Sequence, residues 1–147
     1  MKTGVSVADV MTEHPIVVGP ETSLQECARV MTENHVGAVL IQGRGDLLGI
    51  VSEQDIVRKS VLNGDIPSRI RVKDIMVSKL ITISPSADVF DAVRVMAEEN
   101  IRHLPVIRGE NFAGVVTMKD ILKIQPELFQ ILVDKIELRE EERKVKY

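Results

Sequence analysis

The heptapeptide Gly49-Ile-Val-Ser-Glu-Gln-Asp55 recurs 65 residues later as Gly114-Val-Val-Thr-Met-Lys-Asp120. Both copies have the form G-h-h-[S/T]-x-x-D, where h is an apolar residue. A short apolar run followed by S/T-x-x-D is typical of a strand that leads into a helix with a capped N-terminus. The sequence therefore predicts the same strand-to-helix junction twice.

The recurrence extends over most of the chain without a gap. Residues 7–57 overlay residues 72–122, and 13 of these 51 positions are identical. Each copy opens with the tripeptide D-h-M, at Asp9–Met11 and at Asp74–Met76. An overlay of this extent indicates an internal duplication. The two halves are therefore expected to share one fold.

Each repeat is predicted to form β-α-β-β-α after its D-h-M lead-in. Apolar residues at i, i+3, i+4 and i+7 from Leu24 and from Val89 predict a helix. Ser23 with Glu26 resembles a capping box at the start of the first of these helices, and Asn34 and Asn100 lie near the helix ends. The predicted strands are 16–18, 36–41 and 47–51 in the first repeat, and 81–83, 101–107 and 112–116 in the second.

The predicted class is mixed α/β (α+β), with two repeats related by a pseudo-twofold axis. The repeats span 7–62 and 72–124, and the polar stretch 63–71 links them. A unit of about 50 residues buries too little surface to be very stable by itself, so the two copies are expected to share one core. Residues 126–147 are predicted to form a C-terminal helical extension with an apolar stripe. It is either a solvated helix end or, as we favour, a helix that packs on a second subunit in a dimer. That stripe consists of Leu128, Ile131, Leu132, Ile136 and Leu138.

The junction has chemistry that suits a nucleoside phosphate. The glycine would let a ligand approach the backbone, and the Ser52 or Thr117 hydroxyl can donate to a phosphate oxygen. Amides at a helix N-terminus favour an anion, and the carboxylate of Asp55 or Asp120 can accept from two ribose hydroxyls. S/T-x-x-D is equally a capping box that serves stability alone. Both interpretations stay open, since a duplication copies a cap as readily as a site.

Composition argues against several functional classes. The chain has 147 residues, 19 basic and 22 acidic, with three Phe, one Tyr and no Trp. This balance disfavours nucleic acid as a partner. The longest apolar stretch, 36–41, is far short of a membrane span, and no secretion leader is evident. The single cysteine, Cys27, excludes a disulfide framework and is interpreted as a core residue. We therefore expect a cytoplasmic protein.

No catalytic or metal site is expected. His14, His35 and His103 share no metal-ligand spacing, and no nucleophile–base pair is evident. Arg58 and Lys59 follow the first junction by one helical turn and are interpreted mainly as a solvated helix face. We therefore expect a protein that is not an enzyme.

The ordered set of motifs resembles a tandem pair of cystathionine-β-synthase (CBS) domains, known as a Bateman module. The segment Ile101-Arg-His-Leu-Pro-Val-Ile107 is also similar to the second strand of that family. The resemblance implies a stand-alone regulatory module that binds AMP, ADP, ATP or S-adenosylmethionine in clefts between the repeats. It implies no required cofactor, a homodimer, and an effector protein that the sequence does not identify. The alternative is a ligand-independent module for protein interaction or oligomerisation.

The resemblance also assigns roles by position. Asp55 and Asp120 match the ribose-binding aspartate, Ser52 and Thr117 the phosphate-side hydroxyl, and Ile50 and Val115 the residues that line the base. The strand segment that approaches the ligand is Gly37-Ala38 in the first repeat and Arg102-His103 in the second. Because Arg102 is a permanent cation and its counterpart is glycine, one cleft is expected to bind charged nucleotide better than the other.

Overall fold

The duplicated pattern forms helices and strands close to the predicted positions. The computed structural model describes residues 2–128, 130, 133 and 134. The first repeat forms α1 (Val7–Val10), β1 (Val17–Val18), α2 (Leu24–Asn34), β2 (Ala38–Gly43), β3 (Asp46–Ser52) and α3 (Glu53–Ile56), which continues as a π-helix over Val57–Val61. The linker contains a 3₁₀ turn, Pro67–Arg69. The second repeat forms α4 (Val72–Ile75), α5 (Val89–Glu99), β4 (His103–Arg108), β5 (Asn111–Thr117) and α6 (Met118–Ile124), followed by a 3₁₀ turn, Pro126–Leu128.

The predicted first strand is present in only one of the repeats. In the first repeat β1 pairs in parallel with β2, which pairs antiparallel with β3. In the second repeat β4 and β5 pair antiparallel, and the predicted strand 81–83 is reduced to a single bridge between Ile83 and Val106. The Leu40 amide donates to the Ile16 carbonyl (3.2 Å). Its counterpart Pro105 has no N–H to donate, which explains the shorter pairing.

The chain divides into two compact units whose boundaries do not follow the repeats. The first-repeat unit is His14–Leu80, and the second-repeat unit combines the residues up to Glu13 with those from Ile81 onward. Helix α1 therefore belongs with the second-repeat strands, and α4 belongs with the first-repeat strands. Val7 and Val72 are fully buried in separate core clusters, one in each unit. The expectation of a single shared core was wrong, because each unit completes its own core with the other repeat's lead-in.

The junction glycines make this exchange sterically possible. In the second-repeat unit the Thr12 amide donates to the Val115 carbonyl (2.8 Å) and the Val115 amide to the Thr12 carbonyl (3.0 Å). A Cβ atom on Gly114 would lie 2.4 Å from the Thr12 carbonyl oxygen, and one on Gly49 would lie 2.7 Å from the Met76 sulfur. The expectation that these glycines admit a ligand was wrong, because the lead-in backbone and methionine occupy that space.

The D-h-M motif has a structural role in each lead-in. The Asp9 carboxylate accepts from the Ser6 amide (3.2 Å), and the Asp74 carboxylate accepts from the Arg71 amide (3.1 Å). These bonds satisfy backbone donors at the start of α1 and α4 that have no partner within the helix. Met11 and Met76 pack against the two core clusters, which confirms their interpretation as apolar plugs.

The long helices have the caps that their sequences predict, with two differences. The Ser23 hydroxyl accepts from the Glu26 amide (3.1 Å), but the Glu26 carboxylate is bound to Arg29 rather than to the Ser23 amide. Half of the predicted capping box is therefore absent. The left-handed C-cap residues are His35 and Asn100 (φ 54° and 57°), so that Asn34 is the last helical residue.

Two further predictions concern the core and the C-terminal extension. Cys27 is fully buried, and burial raises the pKa of its thiol to about 11, which confirms it as a core residue. Leu128 is also buried. Of the predicted extension, residues 129, 131, 132 and 135–147 lie outside the described residues. Within the described part of the chain, no helix is both long and apolar enough to span a bilayer.

Candidate functional site

The predicted site residues form two groups, one in each unit. The first junction consists of Gly37, Ala38, Ile50, Ser52 and Asp55, and the second of Arg102, His103, Val115, Thr117 and Asp120. In the antiparallel pairs Ala38 lies opposite Ser52 and His103 lies opposite Thr117. Arg102 and His103 are thus brought together with Thr117 and Asp120 within one unit.

The strand alternation places the base-lining and hydroxyl residues of each junction on one face. Val39 and Val51 point into the core of the first-repeat unit, so Ile50 and Ser52 lie on the opposite face of β3. In the second-repeat unit Val116 is a core residue, and Val115 and Thr117 have the same relation to it. The strand geometry therefore agrees with a shared role for each pair.

Both S/T-x-x-D motifs form complete capping boxes. The Ser52 hydroxyl accepts from the Asp55 amide (3.2 Å), and Asp55 Oδ2 accepts from the Ser52 amide (2.9 Å). The corresponding distances for Thr117 and Asp120 are 3.2 and 3.0 Å. The predicted capping boxes are therefore confirmed. In both junctions the capping box uses only Oδ2 of the aspartate, so the second carboxylate oxygen, Oδ1, takes no part in the cap.

In the first junction the aspartate has further partners. Asp55 Oδ2 also accepts from the Ser52 hydroxyl (3.0 Å), and Asp55 Oδ1 lies 3.2 Å from Lys59 Nζ. Lys59 Nζ donates in addition to the Ile75 carbonyl (3.1 Å). The i,i+4 spacing of Asp55 and Lys59 was the sequence signal for this pair. The interpretation of Lys59 as a merely solvated residue was therefore incomplete.

In the second junction the aspartate has fewer partners among the described residues. Asp120 Oδ2 accepts from the Thr117 amide, and no described residue forms an ion pair with the carboxylate. The position that corresponds to Lys59 is Ile124, which is half-exposed. Among the described residues the Thr117 hydroxyl accepts a bond but donates none. The Thr117 hydroxyl hydrogen and Asp120 Oδ1 therefore have no hydrogen-bond partner among the described residues.

The helix N-termini have less capacity for an anion than the sequence predicted. The amide of the first helical residue donates to the Gly37 carbonyl in one unit and to the Arg102 carbonyl in the other (both 3.0 Å). The amide of the third helical residue is bound to the cap hydroxyl. Two of the first three amides at each junction are thus satisfied internally. Positive charge for a phosphate must then come from a side chain, and Arg102 is exposed with no ion pair among the described residues.

The described residues include no group of three or more His, Cys, Asp and Glu side chains that is suitable for a metal ion. His14 and His35 are exposed. The junctions therefore offer hydrogen-bonding groups and one free guanidinium, without a cluster of metal ligands in that part of the chain.

A family model for the CBS domain matches residues 7–62 and 72–127 of the chain. The chain therefore belongs to the CBS-domain family, and paired domains of this kind are regulatory modules. The resemblance inferred from the sequence and the mixed α/β fold class are both confirmed.

Relatives include proteins longer than this chain. An uncharacterized protein from Methanopyrus kandleri is 34% identical over 140 residues, which cover 94% of this chain and 71% of that protein. An uncharacterized 33.4 kDa protein from Thermofilum pendens is 35% identical over 109 residues, which cover 74% of this chain and 35% of that protein. The chain thus spans about a third of the second relative.

Solved structures share the fold. An uncharacterized conserved protein from Pyrococcus horikoshii has a TM-score of 0.78 and 30% identity, and the match covers 84% of this chain and 93% of the other. The CBS domain pair of protein MJ0100 has a TM-score of 0.75 and 24% identity, covering 84% of this chain and 97% of the other. That protein was crystallised with 5′-methylthioadenosine and S-adenosyl-L-methionine.

Proposed function

We propose that the chain is a regulatory module that binds an adenosyl ligand at the second junction and reports its presence to an effector protein, acting as a homodimer. The observation that carries this proposal is the state of the Asp120 carboxylate. The cap holds one of its oxygens and fixes its position, while Oδ1 has no partner among the described residues. A positioned carboxylate with a free oxygen is suited to accept from ribose hydroxyls.

Each remaining group of the second junction has a proposed role. The Thr117 hydroxyl donates to a phosphate oxygen, the Val115 side chain packs on the adenine, and the Arg102 guanidinium neutralises the phosphate beside His103. Charge-assisted hydrogen bonds contribute about 1.5–3 kcal/mol each, and a micromolar dissociation constant corresponds to about −8 kcal/mol. A few such bonds and a buried base account for an affinity in that range.

The ligand class is supported by the motif and by the fold. In protein MJ0100 the same fold holds two ligands with an adenosyl group. Within that class Arg102 favours a ligand with phosphates over the sulfonium of S-adenosylmethionine, because guanidinium binds phosphate oxygens in a fork geometry and repels a cation. We therefore propose AMP, ADP or ATP ahead of S-adenosylmethionine. Binding shifts the population toward the conformation that holds the ligand better.

Thermal unfolding of the purified chain with AMP, ADP, ATP and S-adenosylmethionine tests the proposal, with GTP as the control. A ligand at about 100 times its dissociation constant stabilises the fold by about 2.7 kcal/mol. For a chain of this size that corresponds to a rise in Tm of roughly 5–10 °C. No shift with any adenosyl ligand at millimolar concentration would contradict the proposal.

A matched pair of variants separates the binding role of the carboxylate from its role as a cap. Asp120→Asn keeps one oxygen as the cap acceptor but replaces the other with an NH₂ donor. We expect at least about tenfold weaker ligand binding, which equals the loss of about 1.4 kcal/mol. The counterpart variant Asp55→Asn should leave the affinity within about twofold of the wild type, since a twofold change is under 0.5 kcal/mol. Equal losses in both variants would contradict the assignment to the second junction.

A ligand-independent interaction module is the second candidate, because both capping boxes are complete without any ligand. In that case Asp120→Ala would cost only the bond from the Thr117 amide, about 0.5–1.5 kcal/mol of stability. No adenosyl ligand would then change the Tm of the wild type or of the variant.

A further inference from the structure

We infer that Lys59 keeps the first junction closed to the ligand, so that each chain binds one adenosyl ligand rather than two. This inference rests on the proposed function, and it assigns the closure of the first junction to one side chain. The duplicated motif alone would suggest two equal sites, since Ser52 and Asp55 have the same cap geometry as Thr117 and Asp120.

The Asp55 carboxylate has few free acceptor positions. A carboxylate offers about four lone-pair positions. Asp55 Oδ2 already accepts from the Ser52 amide (2.9 Å) and the Ser52 hydroxyl (3.0 Å), and Oδ1 accepts from Lys59 (3.2 Å). One position remains, whereas a ribose diol presents two hydroxyl donors. A two-point grip on ribose therefore requires the Lys59 ammonium to leave Oδ1.

A second hydrogen bond holds the Lys59 side chain in place. Its Nζ atom donates to the Ile75 carbonyl (3.1 Å), which lies at the C-terminal end of α4. A cation is favoured at a helix C-terminus because the unpaired carbonyls there carry partial negative charge. The ammonium thus bridges the Asp55 carboxylate and the end of the lead-in helix. The Asp55 side chain beneath it is only 17% exposed.

The second-repeat unit has no lysine at the corresponding position. Ile124 occupies the position of Lys59, and an isoleucine cannot pair with the carboxylate four residues before it. The capping box forms around Asp120 all the same. The cap and helix therefore do not require a lysine at this position. The choice of residue there determines whether the carboxylate is available.

Two reciprocal single substitutions test the inference on the whole 147-residue chain. Wild type, Lys59→Ile and Ile124→Lys are titrated separately with AMP, ATP and S-adenosylmethionine in an isothermal calorimeter, and the number of sites per chain is measured. We expect one site in the wild type and two in Lys59→Ile. Ile124→Lys should bind at least about tenfold more weakly, because the ligand must displace an ion pair and forgo a charge-assisted bond.

Two additional variants assign the new site and guard against misfolding. Asp55→Asn added to Lys59→Ile should remove the second site and leave the first unchanged. Circular dichroism and thermal unfolding check that each variant is folded. Should Lys59→Ile fail to fold, Lys59→Met replaces it, because methionine keeps an unbranched side chain but has no N–H that could donate to Asp55 Oδ1.

Each outcome decides the inference. No binding of any probe to the wild type overturns the proposed function and this inference with it. One site in both the wild type and Lys59→Ile overturns the inference alone, and so do two sites in the wild type. Weaker binding in Lys59→Ile would show that Lys59 serves the ligand directly, which is the opposite of the role inferred here.

Discussion

Substituting Gly114 by alanine tests the docking of the first lead-in on the second-repeat strands. The new Cβ atom would lie 2.4 Å from the Thr12 carbonyl oxygen, 3.2 Å from the Thr12 carbonyl carbon and 3.4 Å from Glu13 Cα. All three are backbone atoms, so no side-chain rotation can relieve the clash. The lead-in must move away from β5, and the two bonds between Thr12 and Val115 are lost.

The cost follows from those contacts. Two backbone hydrogen bonds contribute about 0.5–1.5 kcal/mol each. Partial withdrawal of the fully buried Val7 adds a fraction of the roughly 1.5–3 kcal/mol that burial of a valine provides. Alanine recovers about 0.4–1 kcal/mol by restricting the unfolded chain. We therefore expect Gly114→Ala to lower the free energy of unfolding by about 1–4 kcal/mol.

Urea unfolding followed by circular dichroism measures this change, and two other glycines serve as controls. Gly19→Ala meets no atom within 4 Å and should be neutral or slightly stabilising. Gly49→Ala meets mainly the flexible Met76 side chain (2.7 Å), together with the Val77 carbonyl oxygen (2.9 Å), and should fall between the other two. Hydrogen exchange should show lost protection at the Thr12 and Val115 amides in Gly114→Ala. A loss below about 0.5 kcal/mol, the usual range for neutral surface changes, would refute the reasoning.

Two more predictions concern an N-terminal latch and a buried hydroxyl. Burial alone would raise the pKa of Asp88, but bonds donated by Phe90, Thr3 and Gly4 outweigh it and hold the pKa below its usual value of 3.8. This carboxylate therefore contributes stability above that pH and loses it as the pH falls through the lower folded value. Asp88→Asn should reduce the acid sensitivity of urea unfolding, and an unchanged pH profile would contradict this. Ser60 Oγ is buried with no hydrogen-bond partner among the described residues. Ser60→Ala should thus be neutral or stabilise the chain by up to about 2 kcal/mol in the same assay, and a clear loss would point to an unidentified partner.

Local structure was predictable where each repeat determines it alone. Apolar spacing identified α2 and α5, and the S/T-x-x-D motif identified the caps of α3 and α6. The prediction of a full strand at 81–83 was wrong, although the sequence held the signal: Pro105 stands where Leu40 donates a backbone bond. Such features depend on residues a few positions apart or on one neighbouring strand. Their physical causes are therefore contained within a short stretch of sequence.

The exchange of the lead-ins was not predictable from the pattern. Val7 and Val72 are identical counterparts, and the cores that receive them, although different in sequence, are both apolar. An apolar pattern therefore cannot say which core receives which lead-in. Gly49 and Gly114 were interpreted as room for a ligand. A glycine indicates that another group comes close to the backbone, but it does not identify that group. Only the structure, with the Thr12 carbonyl beside Gly114, distinguishes backbone from ligand.

The duplication also separates what the fold needs from what it leaves free. The glycine and aspartate of the junction motif are identical in the two copies, and each has a structural cause: close approach of the lead-in for the glycine and the capping box for the aspartate. Identity at these positions is therefore no evidence of two equal sites. The same cap and strand pairing form with Gly37 or Arg102 and with Lys59 or Ile124, so the fold does not dictate these residues. Because these differences change the charge beside each carboxylate, we expect a difference in ligand binding between the two junctions to originate there.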